Sequence, residues 1–195
     1  MSHADPRDDA ALVQAINRGE PAAFETLYRR YRDWVLALAH RFTRDPNDAL
    51  DVLQETFAYL LDKAPELRLS AKMTTFLYPV VKNLALGTIR KRDRHQSEAD
   101  ATWLPAPPRE PGPEEARAQL AHVLAALPQG HREVVLLRFV DDMALREIAE
   151  ALDIPLGTVK SRLHSALQRL RDDPRTRRYF LGEEAQRPDD EGEEH

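Results

Sequence analysis

Lys160, Ser161, His164 and Ser165 follow one another along residues 156–171, LGTVKSRLHSALQRLR. Between them Val159, Leu163, Ala166 and Leu170 recur at helical spacing, so the polar groups share the outer face of one helix. An ammonium, two hydroxyls and an imidazole on such a face are groups that hydrogen-bond base edges. Lysine donates to guanine O6 or N7, and serine serves several bases. The segment carries Lys160, Arg162, Arg169 and Arg171 and no acidic residue. Thr158 is placed to cap the helix, and Thr158 and Arg162 suit a phosphate contact or a brace. The chemistry on offer is recognition, not reaction.

The preceding residues show what positions that helix. In residues 145–163, LREIAEALDIPLGTVKSRL, Leu145, Ile148, Ala149 and Leu152 form the apolar face of a first helix. Asp153, Pro155 and Gly157 break the pattern, and Ile154 and Leu156 plug the turn. This is the form of a helix-turn-helix, whose second helix enters a major groove. Two amphipathic helices with a short turn also occur as an ordinary hairpin. The acid-free, cationic second helix favours DNA.

Other chemistry finds little support. There are no cysteines among the 195 residues, which removes disulfides, cysteinyl zinc and thiol catalysis together. No phosphate loop or nucleophile elbow appears, and His40, His122 and His131 lack ligand spacing, so neither a metal nor a cofactor is expected. No small-molecule substrate is expected either. The chain reads as a non-enzyme. No apolar run approaches a membrane span, and the polar start MSHADPRDDA is unlike a signal peptide, so a cytoplasmic location without membrane insertion is expected. The net charge of −5 hides a segregation. Acid gathers at the N-terminus, in the middle and in the tail. Base gathers around residues 90–94 and on the last helix, and local field governs attraction to DNA.

Hydrophobic residues make up 42% of the chain, enough for a packed core, and no segment alternates with period two for long. An all-α protein is expected, with two small helical domains. The first, residues 1–95, holds a short helix over 9–18 and a long one from Pro21 to near Arg44. A third runs from about Pro46 to before Pro65, and a fourth covers 74–92. Residues 96–114 form an acidic, Pro-rich linker in which Trp103 and Leu104 alone are bulky and apolar. The second domain, residues 115–181, holds a helix over 115–127, a turn at Pro128 and Gly130, a helix over 131–140 and the helix-turn-helix. The acidic tail, residues 182–195, is expected to be disordered.

Two further patterns matter. Asp48, Asp51 and Glu55 fall at i, i+3 and i+7 on one face of the third helix, with Gln54 beside them. Taken alone this is a solvated acidic face. Lys72, Lys82, Arg90, Lys91, Arg92 and Arg94 supply cation around the fourth helix for a DNA backbone, and Asn83 can bond a base edge or a phosphate.

In this order, across such a linker, the chain resembles the extracytoplasmic-function (ECF) sigma factors of bacterial RNA polymerase, from about residue 9 to residue 170. The likeness is strongest over residues 127–171. DALDVLQETFAYLL, residues 48–61, resembles the family's polymerase-binding helix, and FLYPVVKNLALGTIRKRDR, residues 76–94, its helix for the minus-ten promoter element. The resemblance implies core RNA polymerase and promoter DNA as partners, with an anti-sigma factor as inhibitor. It implies that Asp48, Asp51 and Glu55 meet the polymerase clamp, joined by Leu53, Gln54 and Phe57 where their apolar parts stay exposed. It implies minus-ten contacts from Lys72, Phe76, Lys82, Asn83, Arg90, Lys91, Arg92 and Arg94, with residues 69–75 as a loop that receives an unpaired base. Minus-thirty-five contacts would come from Thr158, Lys160, Ser161, Arg162, His164 and Ser165. Three positions depart from the family. Phe76 stands for the usual tryptophan and Pro79 for an arginine, while Gly87 replaces a residue that is commonly acidic. Pro79 predicts a kink or a later helix start, and Gly87 weakens the same helix.

The function expected is therefore a promoter-specificity subunit that binds core polymerase and assists promoter opening. A stand-alone helix-turn-helix regulator is the alternative, although the basic cluster at 90–94 has no natural role there.

Overall fold

In the computed structural model, residues 5–96 and 113–176 are described. Trp103, Leu104, most of the expected linker and the acidic tail lie outside them. The described residues form helices and turns without a strand. The chain divides into two compact units: α1 to α4 make the body of the first, and α5, α6 and α8 that of the second.

In the first unit, α1 (Asp9–Asn17) starts where the Asp8 carboxylate accepts the Ala11 N–H, and it buries Leu12, Val13 and Ala15. Gly19, at φ 80°, turns the chain into α2 (Pro21–Thr43), which has proline in its first turn. Leu27, Val35, Leu38 and Ala39 face inward along α2. Arg44, at φ 55°, stops that helix, and Asp45 caps α3 (Pro46–Lys63) by accepting the N–H groups of Asn47 and Asp48 at 2.8 and 2.9 Å. A 3₁₀ turn, Ala64–Glu66, follows, then a connector and α4 (Met73–Gln96). α2, α3 and α4 pack on one another, and α1 lies against α2.

α4 departs from expectation in two ways. It neither waits for Pro79 nor ends there; one helix runs through the proline. Its buried stripe is Met73, Leu77, Tyr78, Val81 and Ala85, so Phe76, Val80, Leu84, Leu86 and Ile89 are only partly covered. With α2 and α3 on one side only, α4 buries half of its apolar positions and presents the rest.

In the second unit, α5 (Pro113–Ala126), α6 (Gln129–Phe139) and α8 (Leu156–Asp172) enclose a core of Val123, Leu127, Val135, Ala166 and Leu170, with Leu124, Leu163 and Leu167 at its edge. α7 (Leu145–Leu152) leads into α8 through a turn at Asp153, φ 51°. The Ala144 N–H is capped by the Glu147 carboxylate at 2.8 Å. Two local expectations are corrected. α8 begins at Leu156 with Pro155 in the cap position, and Thr158 sits inside the first turn, its N–H bonded to the Pro155 carbonyl; it is not the cap. α6 begins at Gln129, so Gly130 belongs to its first turn rather than to a loop.

Candidate nucleic-acid and polymerase interfaces

α8 turns most, but not all, of its polar set outward. Val159 and Ala166 are fully buried and Leu170 nearly so, which turns Lys160, Ser161, His164 and Gln168 to solvent. Lys160 and His164 have no hydrogen-bond or ion partner among the described residues, so their donors are open to a ligand. The Ser161 hydroxyl donates to the Thr158 carbonyl at 3.0 Å, which still leaves its oxygen able to accept. Thr158 and Ser165 are half-buried. Arg162, also half-buried, lies over the first turn of α6. A Cβ added at Gly130 would stand 3.0 Å from its Nη1. That packing makes Arg162 a brace between α8 and α6, and it explains the glycine.

α4 carries the cationic set of the first unit. Arg90, Lys91 and Arg94 are exposed, as is Asn83. The Arg90 Nε–H donates to the Leu86 carbonyl at 3.1 Å and the Arg94 Nε–H to that of Arg90 at 3.3 Å, so both side chains fold back along the helix. Arg92 is different. It pairs with Asp48 at 2.7 Å and donates to the Thr43 carbonyl at 3.3 Å. Its charge is taken up inside the unit, tying the end of α4 to the start of α3. Lys82 stands 6.0 Å from the centre of the Tyr78 ring, and Lys72 is exposed just before α4. Phe76 is half-buried, beside Leu69, Ser70, Ala71, Thr75, Val80 and Asn83 on one concave surface. There the Thr75 side-chain oxygen is buried without a partner among the described residues. Pro79 has no N–H to return to the Thr75 carbonyl.

The acidic face of α3 is split. Asp51, Gln54 and Glu55 are exposed. Asp48 is engaged by Arg92. Leu53 and Phe57 are 7% and 4% exposed, and the Phe57 ring meets those of Phe24 and Tyr28 edge-on, with centroids 6.2 and 4.8 Å away. The condition attached to their role as contacts, an exposed apolar part, is not met; they support the face from beneath. Sequence reasoning passed over Leu50 and counted Leu61 with the apolar residues that mark the third helix, yet each is 45% exposed on α3. It also passed over Phe139 and Val140, 60% and 63% exposed at the end of α6. Their only signal was apolar side chains placed out of phase with the buried stripe.

The strongest electrostatic perturbations lie elsewhere. Arg7 bridges Asp5 at 2.6 Å and Glu20 at 2.7 Å, and Arg30 bonds Asp9 at 2.5 Å. Hydrogen bonds from Arg7 bring the Asp5 carboxyl down to about 2 and lower that of Glu20. Burial and a hydrogen bond to Asp9 push the Tyr31 hydroxyl up. At the end of the second unit, the side chain and backbone of Arg175 bring Asp173 to about 2. Arg7 ties the segment before α1 to Glu20 and Asp9 ties α1 to α2, whereas Asp173 and Arg175 pair locally just past α8.

Among the described residues there is no His/Cys/Asp/Glu group able to hold a metal, and no helix long and apolar enough to cross a membrane.

The family described as Sigma-70 region 2 matches residues 27–95, and Sigma-70, region 4, matches residues 123–172. The chain is 32% identical over 177 residues to the ECF RNA polymerase sigma factor SigE of Mycolicibacterium smegmatis, covering 86% of this chain and 68% of that one. It is 28% identical over 173 residues to the ECF RNA polymerase sigma factor SigW of Bacillus subtilis, covering 82% and 92%. Its fold is similar to that of CnrH, solved with the cytosolic domain of CnrY, with a TM-score of 0.62, 22% identity, and 83% and 93% of the two chains covered. It is similar also to the sigma factor RpoE, solved with the anti-sigma factor NepR from Bartonella quintana, with a TM-score of 0.58, 20% identity, and 76% and 94% covered.

Proposed function

We infer the working parts of this protein from one premise: the chain belongs to the ECF sigma factors of bacterial RNA polymerase, and is an alternative sigma factor that directs the polymerase to promoters. The first unit binds core polymerase and the minus-ten element, and the second binds the minus-thirty-five element. The proline-rich segment 96–114 tethers them. Lys160, Ser161 and His164 read base edges, while Thr158, Arg162 and Ser165 set the angle of the recognition helix and approach phosphate. Lys72, Lys82, Arg90, Lys91 and Arg94 hold the DNA backbone around α4. Asn83 and Phe76 contact an unpaired base, and Arg92 secures the helix that carries them. Asp51, Gln54 and Glu55 face the polymerase clamp.

The observation that carries this reading is the division of open surfaces. One exposed acidic face on α3 and two exposed cationic helices coexist in a chain of net charge −5. A protein that only coats DNA has no use for the acidic face. The sigma factor acts in the cytoplasm, assists strand opening, and carries no catalysis of its own. An anti-sigma factor is its inhibitor in this reading; the similar sigma factor RpoE was solved with one, NepR.

Reconstitution tests this. The purified chain, mixed with bacterial core polymerase and fragmented genomic DNA, is expected to comigrate with core and to enrich a defined set of promoters. Specific DNA binding without core, and no association with it, would favour the stand-alone regulator.

A further inference from the structure

Four glycines stand among the described residues, and two have a local reason. Gly19 adopts a φ of 80° that only glycine takes freely. Gly130 makes room for the Arg162 guanidinium. Gly157 lies in the first turn of α8, near the helix end. Gly87 has none of these. It sits well inside α4, is exposed, has no positive φ, and a Cβ added to it would meet nothing within 4 Å. Mid-helix glycine costs helix stability, and nothing inside the protein requires it here.

Its surroundings supply a reason. Arg90 and Arg94 fold back along α4, and with Gly87 they line one shallow hollow. On the other side Gly87 borders a groove that holds Asn83, Lys91 and Thr88, with Asp51 and Glu55 of α3 across it. Asp48 and Arg92, in the same groove, neutralise each other. An anion at Gly87 therefore meets guanidinium on one side. On the other side two carboxylates, Asp51 and Glu55, face a single unpaired cation, Lys91, so the balance of charge favours the arginine edge.

We propose that Gly87 is a notch in α4 that admits one phosphodiester of the promoter DNA strand against the helix backbone, clamped by Arg90 and Arg94. This rests on the function proposed above and adds a residue to it: the missing side chain lets a tetrahedral phosphate approach as closely as the bare helix allows. A methyl group there would hold the phosphate off.

Gly87→Ala tests the notch, because it improves the helix while filling the hollow. The free variant should melt about 4 °C higher than the natural chain. Its holoenzyme should form with unchanged core affinity, yet bind a promoter that the natural holoenzyme opens roughly tenfold more weakly, a loss on the order of one charge-assisted contact. The salt dependence should fall by about one phosphate. A scan of single methylphosphonate substitutions through the minus-ten strand should find a position that weakens the natural holoenzyme and leaves the Gly87→Ala holoenzyme unaffected. Unchanged promoter affinity, or no such position, overturns the notch. A parallel loss of core affinity overturns it too, since the hollow would then face the polymerase. Failure of the natural holoenzyme to open any promoter would instead sink the sigma-factor reading beneath it.

Discussion

Arg90, Arg92 and Arg94 share one basic run, but their neighbours separate them. Arg92 spends its charge on Asp48 at 2.7 Å, with both side chains only partly exposed. Arg92→Ala should therefore destabilise the first unit by about 1 kcal/mol, read by urea unfolding, whereas Arg90→Ala should leave stability alone and weaken DNA binding. Equal stability losses at Arg90 and Arg92 would contradict that division. On the recognition helix, Lys160 is open and lies on the exposed face near its start. Lys160→Ala should cost about 1–3 kcal/mol at the cognate minus-thirty-five element and relax preference at one or two base pairs. Uniform weakening on every sequence would make it a phosphate contact instead.

At the scale of elements, α4 carries a cost that it does not need for folding. Pro79 removes a donor from the Thr75 carbonyl within a continuous helix, and the Thr75 hydroxyl beside it is also unpartnered among the described residues. Pro79→Ala should raise stability by about 1–3 kcal/mol in urea. A neutral result would show that the carbonyl has found another donor. The ends of α1 are held differently, by Arg7, which joins Asp5 before the helix to Glu20 after it. The Asp5 carboxyl lies at about 2 against an ordinary 3.8. Its contribution is thus complete above about pH 4 and fades as pH falls through about 2. Amide protection in α1 should weaken across that window, and Arg7→Ala should show the weakened state already at neutral pH. The acidic face of α3 is the third element. Asp51 and Glu55 are exposed and cap nothing. Reversing both to lysine should abolish holoenzyme assembly while circular dichroism stays unchanged; normal assembly would reduce them to solvated charge.

For the whole molecule, the proposed function asks what would set the spacing of two DNA-reading units on one chain. The segment between them, QSEADATWLPAPPREPGPEE, is acidic and rich in proline, a composition that repels DNA. Core polymerase is the ruler we propose. The free chain should bind promoter duplex weakly and with steep salt dependence, while holoenzyme binds the same duplex specifically at physiological salt. Tight, specific binding by the free chain would remove the need for polymerase in recognition.

Much of this was legible in the sequence. The helices of the first unit follow from apolar residues at helical spacing, punctuated by Pro21, Asp45 and Pro46. The helix-turn-helix follows from residues 145–163, because periodicity and turn chemistry are local properties. The open face of the recognition helix was equally readable, since Val159, Ala166 and Leu170 fix which side is inside. What the sequence could not fix were matters of partnership across distance. It counted Arg92 and Asp48 as outward charges, and only folding brought residues 44 positions apart to 2.7 Å. It left the exposure of Leu53 and Phe57 open, and packing against Phe24 and Tyr28 buried them. It read Gly130 as a turn and Thr158 as a cap, whereas the close approach of Arg162 and an earlier helix start decided both. Spacing determines which face a side chain occupies. Only the neighbouring helices determine whether that face is covered, paired or left open for DNA.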